Sequence, residues 1–145
     1  MNCYASKIEV ANTVCPNCKS IGDVVDLKTV ENMVLDKSVH YTQDFLMCLT
    51  SDCYVAYFSK SVVIKTDEIK EVIYSKSIKP DRILCYCSRT KAQEILDYVD
   101  SSGNFSIKDI VKHTSAMNNS NCLVKSPTGK CCSKQINEAV KKHLD

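Results

Sequence analysis

The sequence predicts an α+β chain of two small units, a β-rich N-terminal domain over residues 1–80 and a helical C-terminal domain over residues 81–145. Three observations carry this prediction. β-Branched and aromatic residues recur in short runs up to about Lys65, and apolar residues recur at helical spacing beyond Pro80. Nine of the ten cysteines fall into four tight groups, two in each half.

In the first half, Val24 to Val30, Asp44 to Cys48, Tyr54 to Phe58 and Ser61 to Lys65 read as strands, because residues of these types suit a pleated, half-buried surface. A short antiparallel sheet follows, with the register of Ser38 to Gln43 left open. Near Tyr74 to Asp81 the pattern turns polar, and Pro80 disfavours helix in the residue before it, which sets the expected boundary. Beyond it, Thr90-Lys91-Ala92-Gln93 fits a capping box, with Ile95, Leu96 and Val99 sharing one helix face. Ser106 opens a second helix with Ile107, Ile110 and Val111 inward. Ser133 to Leu144 forms a third, with Ile136, Ala139, Val140 and Leu144 on its apolar stripe.

With 44% hydrophobic residues and no Trp among 145, each half can build only a modest core. Units of about 60 to 80 residues commonly need a metal or disulfide staple. A net charge of +2 lacks the basic bias of a nucleic-acid binder, so no nucleic-acid partner is expected. Met1 to Lys7 lacks a basic start and an apolar run, and no later stretch approaches the roughly 18 apolar residues of a membrane span. The expected location is therefore cytoplasmic, without membrane insertion. In that reducing setting, paired cysteines point to metal or redox chemistry in preference to disulfides.

Cys15-Pro16-Asn17-Cys18 lets two sulfurs reach one ion from a tight turn. Cys48-x4-Cys53 sits between two strand-like runs, where a hairpin loop can present a second pair. Together Cys15, Cys18, Cys48 and Cys53 make a tetrahedral four-thiolate zinc site of structural role, in a zinc-ribbon-like domain. His40, Asp44 and Asp52 are possible replacement ligands but read as surface residues, and Cys3 as an unpartnered terminal thiol. The second set, Cys85-x-Cys87 with Cys122-x8-Cys131-Cys132, is less typical of zinc. A diiron cluster asks for two sulfurs on each of two irons, which a short pair and a wider group can supply. A second structural zinc is the alternative.

The segment Arg82-Ile83-Leu84-Cys85-Tyr86-Cys87-Ser88-Arg89-Thr90, followed by Cys122 and by Ser126-Pro127-Thr128-Gly129-Lys130-Cys131-Cys132, resembles the [2Fe-2S] signature of the bacterioferritin-associated-ferredoxin-like family. The fuller likeness is to the N-terminal domain of CopZ-type copper chaperones. In that family a Cys-Pro-x-Cys segment and a Cys-x4-Cys before an aromatic strand precede the cluster, and Cys15 to Phe58 keep that order. The resemblance implies zinc at Cys15, Cys18, Cys48 and Cys53. It also implies a cluster at Cys85, Cys87, Cys122 and one of Cys131 or Cys132. Cys132 is favoured, since the N-terminal edge of the last helix suits a sulfur anion. The family's copper-loop domain, with its Met-x-Cys-x2-Cys motif, has no counterpart in these 145 residues. Any copper role is therefore expected to use these cysteines or a separate partner.

The expected function is one-electron transfer or redox sensing by an iron–sulfur and zinc protein, linked to copper handling through reduction of Cu(II) to Cu(I). Its partners would be a redox protein and a separate copper-loop chaperone or copper transporter. Arg82, Arg89, Lys91, Lys130 and Lys134 lie near the expected cluster ligands in sequence, where their field would raise its potential. An enzyme is not expected: four thiolates leave no open coordination position, and His40, His113 and His143 are scattered. Two alternatives stand. One is a two-zinc protein or nucleic-acid interaction module presenting Tyr54, Tyr57 and Phe58; the other is a metallochaperone binding Cu(I) through Cys3 or the spare adjacent cysteine.

Overall fold

The computed structural model describes residues 13–38, 40–117 and 121–145. Cys3 lies outside them. The chain divides into two compact units, Met1–Lys76 and Ser77–Asp145. The first carries the strands β1 (Asp23–Val25), β2 (Phe45–Met47), β3 (Val55–Phe58) and β4 (Val63–Lys65), which form one antiparallel sheet in that order. The helix α1 (Leu27–Met33) follows β1.

The expected strand from Val24 to Val30 ends at Val25. Asp26 stops it: its carboxylate accepts from the Lys28 N–H at 2.8 Å and caps α1, which buries Val30 and Met33 one turn apart. At the other end of the helix Lys37 Nζ donates to the carbonyls of Glu31 and Asn32, satisfying groups that the last turn leaves open.

The central strand β3 is buried along its whole length and serves two cores. Val55 faces Lys65 whereas Tyr57 faces Ile64, so one extra residue sits in β3 and breaks the simple alternation. Ala56 and Tyr57 pack with α1, Phe45, Met47 and Ile73, while Val55 and Phe58 pack with Cys15, Cys48 and Cys53. Tyr57 and Phe58 are thus interior residues, and only Tyr54 of the proposed stacking trio is exposed. An aromatic platform for nucleic-acid bases does not form from them.

The second unit opens with a hairpin of β5 (Ile83–Cys85) and β6 (Thr90–Lys91), then carries the helices α2 (Ala92–Ser102), α3 (Ile107–His113), α4 (Cys122–Lys125) and α5 (Ser133–Leu144). Its interior holds Leu84, Ile95, Val99, Ile110, Ile136 and Val140. Ser106 caps α3 by accepting from the Asp109 N–H, as its position predicts. The capping box at Thr90 does not form. Thr90 is part of β6 and fully buried, with its hydroxyl 2.6 Å from those of Ser88 and Ser115, so α2 starts after Lys91 without a side-chain cap. Leu144 is exposed, and Gln135 takes an interior position instead, donating from Nε2 to the Leu84 carbonyl.

Candidate metal centres

The first centre is assembled from two loops of the first unit. Residues 15–20 form a knuckle in which the Cys15 N–H donates to Ser20 O and the Lys19 N–H returns to Cys15 O. Lys19 closes the turn with φ of 66°, a left-handed conformation. The second loop joins β2 to β3. The Cys48 N–H donates to Ala56 O and the Cys53 N–H to Thr50 O, so the last rung of the hairpin and the tight turn beyond it fix both sulfurs.

All four sulfurs, of Cys15, Cys18, Cys48 and Cys53, lie within 4.8 Å of one another. Cys15 and Cys53 are 3.8 Å apart and Cys18 and Cys48 3.6 Å. A tetrahedral ion with metal–sulfur bonds of about 2.3 Å has sulfur–sulfur edges of about 3.8 Å, so the donor set fits zinc. Polar neighbours reach the sulfurs directly. Asn17 Nδ2 donates to Cys53 Sγ at 3.3 Å, the Thr50 hydroxyl lies 3.2 Å from Cys18 Sγ, and Lys76 Nζ lies 3.8 Å from Cys48 Sγ. The Thr50 hydroxyl holds the Cys18 thiol down to about 5, whereas burial pushes Cys48 up to about 12. Cys15 is likewise raised by burial.

The sulfurs of the second unit are arranged otherwise. Cys85 ends β5, Cys87 lies in the hairpin turn, Cys122 begins α4, and Cys132 is the residue preceding α5. Cys87 and Cys122 sulfurs are 3.5 Å apart, and Cys85 shares a hydrogen bond with Cys132. Among the described residues, the first four cysteines are the set whose ligand atoms all meet within 4.8 Å. The second four come as two pairs. Among the described residues, no three of their sulfurs meet within 4.8 Å of one another.

Backbone amides already point at this site: the Met117 N–H donates to Cys85 Sγ at 3.2 Å and the Asn121 N–H to Cys87 Sγ at 3.0 Å. The hydrogen bond from Cys132 holds the Cys85 thiol down to about 5, and the same bond together with burial raises Cys132 strongly. Burial pushes Cys122 up to about 12. Cys85, Cys87 and Cys132 are buried, while Cys131 is exposed. Gly129, with φ of 68°, turns the chain into the pair of adjacent cysteines.

None of the three histidines joins the four-sulfur set. His113 stacks on Tyr98 and approaches Asp109 O, His143 pairs with Asp100 at 2.8 Å, and His40 is exposed. Arg82 turns its guanidinium back onto the carbonyls of Ile78 and Lys79. Sequence reasoning missed the polar neighbours Asn17, Thr50 and Lys76 of the first centre. It also missed a chain of hydroxyl groups, Ser88, Thr90 and Ser115, that runs from the Cys85 hairpin to Glu94. Asn17, inside the Cys-x2-Cys turn, was the one of these with a local signal.

Residues 12–70 match a family described as the zinc-binding domain of CopZ. Over 119 residues the chain is 29% identical to the copper chaperone CopZ of Archaeoglobus fulgidus, covering 81% of this chain and 57% of that relative. The chain thus spans a little over half the relative's length. The X-ray structure of the Archaeoglobus fulgidus CopZ N-terminal domain superposes with a TM-score of 0.74 at 28% identity, covering 86% of this chain and 95% of that one. The first unit is therefore similar to a zinc-binding domain family over residues 12–70, and the chain has the α+β fold of the CopZ N-terminal domain, an antiparallel sheet followed by a helical part.

Proposed function

We propose that this protein handles copper, with a structural zinc holding its first unit and a dinuclear thiolate centre in its second. The similarity to a protein named copper chaperone supports the copper assignment. Zinc at Cys15, Cys18, Cys48 and Cys53 is supported by the domain match and by four converging sulfurs. Such a site is closed, so its zinc stabilises the small sheet and leaves no position for a substrate.

For the second unit the observation that carries the reading is the pairing of its sulfurs, Cys87 with Cys122 and Cys85 with Cys132. Together with the resemblance of these loops to a [2Fe-2S] signature, it supports a diiron cluster at those four residues. When bound, a cluster of this type supplies one-electron chemistry, suited to converting Cu(II) to Cu(I) with a redox partner. This chain's own part is to hold the sulfurs apart in pairs, aim the Met117 and Asn121 amides at them, and keep three of the four buried.

A second reading assigns Cu(I) itself to the second unit, making the protein a metallochaperone that passes copper to a transporter. The printed name of the relative favours it, and soft thiolates suit Cu(I). Metal and acid-labile sulfide analysis of anaerobically purified protein, with EPR before and after dithionite, separates the two. The first reading expects about one zinc, two irons and two sulfides per chain, with an EPR signal only on reduction. Zinc without sulfide, together with Cu(I) taken up in amounts that Cys85→Ser and Cys122→Ser abolish, would establish the second.

A further inference from the structure

Lys76 closes the short 3-10 turn Tyr74–Lys76 and is the last residue of the first unit. An ammonium group has three N–H donors and no acceptor. All three of these find partners on one loop: Nζ lies 2.8 Å from Thr50 O, 3.0 Å from Cys53 O and 3.8 Å from Cys48 Sγ. The two carbonyls and the sulfur belong to the segment that supplies half of the four-sulfur centre. Lys76 is half-buried, so its charge is less screened than that of an exposed lysine.

Four thiolates around a divalent ion leave a net charge of −2 in a buried site. Lys19, beside the first pair of cysteines, is exposed and donates to Pro16 O in the first knuckle. We propose that Lys76 is a positioning residue of the zinc centre, fixing the Cys48–Cys53 loop through its carbonyls and offsetting the negative charge at the Cys48 sulfur, so that zinc is retained. The proposal rests on the zinc assignment made above. Charge on the sulfur is drawn toward the ammonium, which makes the metal-bound Cys48 sulfur a poorer target for alkylating agents and slows loss of its metal to a chelator. The same contact ties the metal loop to the end of the unit, 28 residues from Cys48 in sequence.

The test uses the full zinc-loaded chain and three variants: Lys76→Met, which removes charge and donors, Lys76→Gln, which keeps donors without charge, and Lys76→Arg, which keeps the charge. Zinc transfer to an excess of a coloured chelator is timed for each. Partners of metal ligands commonly contribute about 10–100-fold in affinity, so Lys76→Met should release zinc about that much faster, with Lys76→Gln intermediate and Lys76→Arg nearest the parent. With Co(II) in place of zinc, the thiolate-to-metal charge-transfer band should move to lower energy in the Met and Gln variants and hold its place in the Arg variant. A merely structural role would not produce that ordering. Release within twofold of the parent in Lys76→Met, or an unmoved cobalt band, overturns the role of Lys76 while leaving the zinc assignment intact. Parent protein that holds no zinc sensitive to Cys15→Ser or Cys48→Ser overturns both.

Discussion

Gly22 has no space for a side chain. A Cβ at this position would lie 2.6 Å from Phe58 Cζ and 2.9 Å from Leu46 Cβ, and Phe58 is buried against Cys15, Cys48 and Cys53. Gly22→Ala must therefore push the Phe58 ring toward the sulfurs or bend the strand entry. Overpacking of this kind costs about 1–3 kcal/mol, so the zinc-loaded variant should unfold at lower denaturant concentration with its zinc content unchanged. An unaltered midpoint would show that the ring yields freely. The requirement at Gly22 is not legible in the sequence, because the atoms that crowd it come from strands far along the chain. The cysteines were legible for the opposite reason. Two thiolates three to five residues apart can meet one metal through local backbone geometry alone, so their spacing reports their chemistry. Asn17, Thr50 and Lys76 act on the same sulfurs, but each reaches a sulfur 28 or more residues away in sequence, so their roles appear only once the first unit has folded.

At the scale of elements, β2, β3 and β4 follow their runs of β-branched and aromatic residues, and α3 and α5 follow the helical spacing of their apolar residues. The departures have specific causes. Val24 to Val30 carries enough β-branched residues for a strand, yet Asp26 offers its carboxylate to the next turn, and the one-turn spacing of Val30 and Met33 supplies a helical face. Thr90 has the composition of a cap, but its hydroxyl is engaged by Ser88 and Ser115, and the hairpin that carries Cys85 and Cys87 needs it as a strand residue. Asp26 is the better test of whether a cap decides an element. Its replacement by Ala should cost about 1 kcal/mol, and Asp26→Asn should restore most of it. The loss should appear as faster amide exchange at Val30 and Val34, whose N–H groups bond to the Asp26 and Val30 carbonyls. Equal exchange in the Ala variant would mean that burial of Val30 and Met33 holds α1 without help.

For the whole molecule the question is how a sheet of four strands, none longer than four residues, stays folded. Among the described residues its apolar interior is built around the seven-residue helix α1, and a second cluster consists largely of cysteine side chains. Buried thiol groups contribute little in place of the metal, because burial raises Cys15 and Cys48 and leaves them protonated at neutral pH. Structural zinc contributes about 10–16 kcal/mol in small zinc-stapled folds, comparable to the entire stability of an ordinary domain. Removing zinc from the intact chain should therefore unfold the first unit. The amides of Cys15, Cys48 and Cys53, which bond to Ser20, Ala56 and Thr50, should lose their protection from hydrogen exchange, together with those of β2 and β3. In the second unit, α2 and α5 should keep theirs, since Ile95, Val99, Ile136 and Val140 form an interior that shares no ligand with the zinc centre. A Cys15→Ser, Cys48→Ser double variant should reproduce the pattern without a chelator that also reaches the second centre. A sheet that keeps its protection after zinc is gone would show that its apolar clusters suffice, and loss of protection in both units at once would show that they fold as one.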